Sequence, residues 1–119
     1  MGPYHRIADI PTHRIEVGEV KVLSGSQGMV FFGTLAAGTE VPRHSHPNEQ
    51  ITIVHSGRMR YRIGDGAITE VGPGEALVIP GGVEHQSWYD EECTITEFFS
   101  PPRLDMFPAA AYHPYAIEE

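Results

Sequence analysis

The sequence predicts an all-β chain folded as an antiparallel sandwich or barrel. Three observations carry that expectation. Thirteen glycines and ten prolines cut the 119 residues into short pieces. Most pieces alternate apolar and polar residues with the period of two that buries one face of a strand. No segment before "RLDMF" (103–107) holds a helical period, and that one is long enough for one or two turns at most.

Taken in order, "RIEVGEVKVL" (14–23) alternates apolar and polar residues and reads as the first strand. "MVFFGTLAA" (29–37) is rich in β-branched and aromatic residues, which suit a pleated, half-buried surface. "QITIVHS" (50–56) and "RMRYRIG" (58–64) follow, separated by Gly57. "GDG" (64–66) is a hairpin signal leading into "AITEV" (67–71). "EALVIP" (75–80), "EHQSWY" (84–89) and "CTITEFF" (93–99) complete the set. Turn signals recurring at such short intervals are the pattern of sandwiches and barrels. The final "PAAAYHPYAIEE" (108–119) is bounded by prolines and is expected to wrap the surface or a partner subunit.

The length allows one core, so residues 1–119 are read as a single domain: a barrel over about 14–100 with flanking arms 1–13 and 101–119. With 40% hydrophobic and 20% charged residues the composition is that of an ordinary globular chain. Sixteen acidic against eight basic residues give a net charge of −8, a field that repels nucleic acid and anionic membrane surfaces, so neither is an expected partner. "MGPYHRIADIPTHRI" lacks the apolar core of a signal peptide, and no apolar run approaches transmembrane length. The one cysteine, Cys93, cannot form an internal disulfide. A cytoplasmic protein is the expectation. Cys93 alternates with its neighbours in a strand and has no evident basic partner, so it is expected to be buried rather than reactive.

The chemistry-bearing stretch is "HSHPNEQ" (44–50). Side chains two apart on a strand share a face, so His44 and His46 can point together into a barrel and bind a metal. Two such histidines are also often merely exposed. Glu49 and Gln50 compete as the next ligand: Gln50 has the parity of the histidines, and a bulge would exchange the two. The wider pattern is more specific. Gly38 and His44 have five residues between them, Gln50 follows His46 after three, and Gly57 follows after six more. Downstream, Gly74 is followed after five residues by Pro80, then by Gly82 and His85.

These spacings resemble the two motifs of the cupin superfamily, G-x(5)-H-x-H-x(3)-E-x(6)-G and G-x(5)-P-x-G-x(2)-H-x(3)-N, with Gln50 in the glutamate position and Tyr89 in the asparagine position. The resemblance implies a jelly-roll barrel, the cupin double-stranded β-helix. It also implies a divalent metal ion held by His44, His46, Gln50 and His85. The competing reading is a cupin that has lost its metal, its polar residues satisfying one another. Three imidazoles and an amide are neutral, so a bound ion keeps its full charge and favours an anionic group or hydroxide. Such donors admit zinc, nickel, iron, manganese or copper. Oxygen chemistry at iron usually rests on two histidines and a carboxylate, which this set lacks.

The last strand runs into "TEFFSPPRLDMF" (96–107). Glu97 and Phe99 share a face, and Pro101–Pro102 stiffen the approach to Arg103, whose guanidinium could grip a carboxylate in two parallel hydrogen bonds. This stretch is similar to the D-x-F-[ST]-P-x-R-x-D-F pattern of small cupins of the KdgF type, from pectin and alginate breakdown. Here the pattern reads Glu97, Phe99, Ser100, Pro101, Arg103, Asp105 and Met106. The same cupins have His-x-His-x(3)-Gln. The resemblance implies that Glu97, Phe99 and Arg103 are the catalytic positions and that 4,5-unsaturated uronates are linearised to 4-deoxy-5-keto uronates. Glu97 replaces the aspartate and moves the carboxylate out by one methylene, a shift to which proton transfer is sensitive. The residues fit that chemistry: Arg103 and a cation would hold the carboxylate while Glu97 moves protons. A structural ion pair for Glu97 and Arg103, and core packing for Phe99, are the alternatives.

The leading expectation is therefore a metal-dependent lyase or isomerase acting on a small anionic sugar acid. An iron- or copper-dependent dioxygenase and a non-catalytic ligand-binding cupin stand beside it. The resemblance also implies a homodimer. Arg58, Arg60 and Arg62 are expected to form a solvated strand face, Trp88 to pack, and His55 to be exposed. His5, His13 and His113 show no ligand spacing.

Overall fold

A computed structural model describes residues 4–104. Within these residues ten strands follow one another: β1 (His13–Ile15), β2 (Gly18–Ser24), β3 (Met29–Leu35), β4 (Thr39–His44), β5 (Glu49–Ser56), β6 (Met59–Ile63), β7 (Thr69–Val71), β8 (Ala76–Ile79), β9 (His85–Tyr89) and β10 (Cys93–Ser100). Among the described residues there is no α-helix, only a 3₁₀ turn at Ile7–Asp9.

All pairings are antiparallel. One sheet has the order β1-β2-β3-β10-β5-β8 and the other β4-β9-β6-β7. From β3 onward the chain changes sheet at every connection except the β6–β7 hairpin, which is the winding of a jelly roll. Period-two burial decides which side chains fill the space between the sheets. In β10 the buried residues are Cys93, Ile95, Glu97 and Phe99, and in β3 Met29, Phe31, Gly33 and Leu35. Phe31 and Phe99 stack with ring centroids 6.2 Å apart and join the two strands to one core. Burial of each such ring contributes roughly 1.5–3 kcal/mol. Cys93 is fully buried in this core, as its alternation predicts.

Several boundaries differ from the sequence expectation. The single strand expected over 14–23 is a two-residue hairpin, β1 and β2, with Ile15 paired to Gly18 around Glu16–Val17. The apolar alternation continues through the turn, which hides it from a periodicity argument. The strand expected over 29–37 ends at Leu35, and a further strand, β4, follows. The Ile63–Gly66 turn is present, closed by the Gly66 N–H donating to the Ile63 carbonyl, but β7 begins only at Thr69. On the outer face Arg60 makes a double hydrogen bond to Asp90 (2.7 and 3.0 Å) and lies over Trp88, so this strand face is solvated and Trp88 is a packing residue. The "RLDMF" turn, Asp105, Met106, His113 and the remainder of the C-terminal arm fall partly or wholly outside the described residues.

The four glycines of the two spaced motifs, Gly38, Gly57, Gly74 and Gly82, have φ of +83°, +80°, +79° and +80°. Gly57 is the most constrained. A Cβ there would lie 2.2 Å from the Glu92 carbonyl oxygen and 2.7 Å from Cys93 Sγ. Gly57→Ala is expected to destabilise the protein by at least about 2 kcal/mol through positive φ and this clash. Urea denaturation measures it, and a variant with an unchanged midpoint would contradict the packing described.

Candidate metal centre

Three elements bring three imidazoles together. His44 is the last residue of β4 and is paired directly across to His85, the first residue of β9, next to a register shift after Val41. His46 is not on a strand, contrary to the parity argument: it sits in the turn that carries the chain from β4 to β5. It nonetheless turns inward and is buried, as is His85, while His44 is half-buried.

Each ring is held in the same way. His44 Nδ1 lies 2.7 Å from the Pro42 carbonyl, His46 Nδ1 3.0 Å from the Asn48 carbonyl and His85 Nδ1 2.9 Å from the Val83 carbonyl. A carbonyl only accepts, so each Nδ1 carries the proton and donates it, and each Nε2 presents its lone pair. The potential ligand atoms of the three lie within 4.8 Å of one another, a span that an ion with bonds of roughly 2.0–2.1 Å closes with small movements.

Two observations indicate that a cation fits here. His85 Nε2 is buried without a hydrogen-bond partner. His46 Nε2 faces Gln50 Oε1 at 3.1 Å, two lone pairs that repel unless a positive charge lies between them. A proton on His46 is disfavoured first by burial and then by the Arg103 charge. The His85 imidazole is pushed down to about 4, chiefly by burial and further by the charges of His44, His46 and Arg103. His46 and His85 are thus held as neutral nitrogen donors, and with the nearby His44 nitrogen they form a set suited to a divalent metal.

Gln50 and Glu49 separate cleanly. Gln50 is buried on the inner face of β5 and Glu49 is exposed. The Gln50 amide nitrogen donates to Thr52 Oγ1 at 3.0 Å and to Glu97 Oε2 at 2.5 Å, and Thr52 Oγ1 donates to the same Glu97 oxygen at 2.6 Å. Glu97 is 6% exposed. Burial raises its carboxyl from 4.5 to about 7, opposed by the hydrogen bonds from Thr52 and Gln50 and by the Arg103 charge. Phe99 packs edge-on against His46 with centroids 5.8 Å apart, and the Arg103 guanidinium lies 5.7 Å from the Phe99 ring centre. One cavity is lined by His44, Gln50, His85, Glu97, Phe99 and Arg103.

The structure adds three residues that sequence reasoning did not single out as parts of the site. Thr52 shares the inward parity of Gln50 and is paired directly across to Glu97. Asn48, buried in the turn, orients His46 through its carbonyl while its side-chain amide donates to the Pro101 carbonyl at 2.5 Å, tying the metal loop to the segment that leads to Arg103. Tyr89 is buried in the core and lines the same cavity, its hydroxyl held protonated by burial and by the Glu97 charge.

The sequence profile of the cupin domain matches residues 31–98, more than half of the chain. The chain belongs to the cupin family. Among curated proteins none matches significantly. Among solved structures, KdgF from a Halomonas species superposes with a TM-score of 0.79 at 22% identity, over 90% of this chain and 100% of that one. An RmlC-like cupin from Shewanella frigidimarina gives 0.81 at 21% identity, over 90% and 97%. A variant of oxalate decarboxylase from Bacillus subtilis, an enzyme with Mn(II) centres, gives 0.68 at 18% identity, over 79% of this chain and 28% of that one. At these identities the likeness is one of fold.

Two outcomes are expected. A divalent ion at a hundred times its dissociation constant should stabilise the protein by about 2.7 kcal/mol, and His85→Ala should abolish the effect. An equal thermal shift in the variant would place the ion elsewhere. The second concerns metal-free protein and pH. Glu97 has a raised folded pKa, so its contribution is fully present below 4.5 and is lost as pH rises to about 7. His85 has a depressed one, so its contribution is present above 6.5 and is lost as pH falls toward about 4. The His85 effect is common to wild type and Glu97→Gln and cancels in their difference. Wild type should therefore lose stability relative to Glu97→Gln by on the order of 3 kcal/mol between pH 4.5 and 8. Denaturation curves that keep a constant separation would refute a buried ionising Glu97.

Proposed function

We propose that this cupin is a metal-dependent enzyme acting on a small anionic sugar acid, and specifically that it linearises 4,5-unsaturated uronates. One observation carries the reading: a buried carboxyl with its pKa raised to about 7 shares a cavity with Arg103 and with His44 and His85, on whose nitrogens that of His46 converges. The fold likeness to KdgF is compatible with it.

The substrate is a carboxylate beside an enol ether, with a hydroxyl on the carbon at the far side of the ring oxygen. A divalent ion held by His44, His46, Gln50 and His85 would supply positive charge to the substrate's oxygens. Arg103 holds the carboxylate in a two-pronged hydrogen bond, and its position over Phe99 limits how far the guanidinium moves. Phe99 fills the wall between Arg103 and His46 and keeps water from that side.

Glu97 Oε2 is engaged by Thr52 and Gln50, so proton exchange falls to Oε1. Ionised Glu97 takes the hydroxyl proton as the bond between the ring oxygen and the hydroxyl-bearing carbon breaks, leaving an aldehyde and an enolate. Protonated Glu97 then returns the proton to the enolate's terminal carbon, giving the 5-keto acid. A group that must both take and give a proton works best near the ambient pH, which is where burial brings this one.

Metal-loaded protein should erase the absorbance of 4,5-unsaturated galacturonate, and chelation should stop it. Glu97→Gln should lower kcat by about 10²- to 10⁴-fold. Arg103→Lys should raise KM by about tenfold or more, because an ammonium lacks the planar fork. Protein that holds its metal yet leaves the unsaturated uronate unchanged sinks the reading. Oxygen uptake with a redox metal would replace it with dioxygenase chemistry, and tight binding without turnover with a binding module.

A further inference from the structure

We propose that Thr52 is a positioning residue of the metal centre, fixing the Gln50 amide so that its oxygen faces the histidines. The inference rests on reading His44, His46, Gln50 and His85 as metal ligands, and it makes no assumption about the reaction.

A primary amide is nearly symmetric in shape. Turned by 180° it presents nitrogen where oxygen was, and only its hydrogen-bond partners decide between the two. A metal needs the oxygen. The turned amide would instead point an N–H at His46 Nε2, satisfying that lone pair and closing it to an ion.

What prevents the turn is the arrangement behind Gln50. Thr52 is 1% exposed, so its hydroxyl has no solvent to choose. It donates its single proton to Glu97 Oε2 at 2.6 Å and is left as an acceptor toward Gln50, whose Nε2 stands 3.0 Å away. The second amide proton goes to the same Glu97 oxygen. Both amide protons are thus taken on one side, and the oxygen is directed to the other, 3.1 Å from His46 Nε2. The turned amide would set its carbonyl against the oxygen that Glu97 already offers as an acceptor. Register builds this: Thr52 is paired directly with Glu97 across β5 and β10, and Gln50 with Phe99, so the three polar side chains form a triangle on one face of the sheet.

Thr52→Val keeps the shape of the side chain and removes the hydroxyl. Gln50 then loses one acceptor, Glu97 loses a donor, and the amide is free to turn. The full-length protein, stripped of metal, is titrated with Zn(II) against a chromogenic chelator. Thr52→Val should weaken Zn(II) binding by about 10- to 100-fold, the range for groups that orient a ligand. Thr52→Ser, which keeps the hydroxyl, should stay within about threefold of wild type. Co(II) supplies a readout that loosened packing alone does not move: the visible spectrum of the Thr52→Val complex should change with loss of the amide oxygen ligand, while that of Thr52→Ser should match wild type. Should Thr52→Val not fold, the Thr52→Ser and Thr52→Ala pair differs only in the hydroxyl, and serine should bind at least tenfold more tightly. Wild-type affinity and spectrum in Thr52→Val, or serine no better than alanine, overturns the proposal alone. Wild type that binds no metal overturns it together with the metal reading.

Discussion

Strand β10 is paired along nearly its whole length on both sides, to β3 and to β5, and the site depends on that double ladder. It sets Glu97 opposite Thr52 on one side and Phe31 on the other, and Phe99 opposite Gln50. The two edges differ in character. Toward β3 the inner face is apolar and supplies the stacked rings that anchor the core; toward β5 it turns polar. One strand therefore carries both a ring of the stacked pair in the hydrophobic core and the carboxylate that faces the cavity. The second sheet contributes His44 and His85 by a comparable device, a direct cross-strand pair at the end of β4 and the start of β9.

Placing polar groups inside a barrel is costly unless each finds a partner. Glu97, Gln50, Thr52 and Asn48 find theirs within the protein. The imidazoles are satisfied at Nδ1 only. What is left over, a buried lone pair on His85 and another on His46 facing an amide oxygen, is concentrated at one place. Around the three imidazoles, the polar valences that the protein leaves unmet are thus the ones a cation would meet. Glu97 shows the same economy from the other direction: the hydrogen bonds from Thr52 and Gln50 and the Arg103 charge do not fully offset its burial.

Much of this was legible in the sequence, for physical reasons that can be stated. Spaced glycines were informative because each occupies a conformation with positive φ, and Gly57 additionally has no room for a side chain. Alternation was informative where a strand is continuous, which is why Gln50 rather than Glu49 was expected inside and why Glu97 and Phe99 were expected together. The same rule was applied to His44 and His46 on the premise of a shared strand, and it reached the correct side for another reason: His46 turns inward from a turn, its ring held by the Asn48 carbonyl. Thr52 and Asn48 were missed because their parts depend on partners about fifty residues away, Glu97 and Pro101. A strand register of that kind is fixed by the whole sheet and leaves no local mark. The β1–β2 hairpin was missed because alternation passes through the Glu16–Val17 turn and slips by one only just after it, at Gly18–Glu19.

The three imidazoles are tethered by the carbonyls of Pro42, Asn48 and Val83, which are main-chain groups. Every amino acid has a carbonyl, so the orientation of the rings is insulated from the identity of the residues that impose it. Pro42 and Val83 can drift without altering a ring's protonation, provided the local backbone path is kept. Asn48 cannot drift so freely, because its side chain also holds Pro101. Substitutions near the histidines will therefore be an unreliable guide to which cupins retain a competent donor set; the backbone between the ring and its carbonyl is the better one.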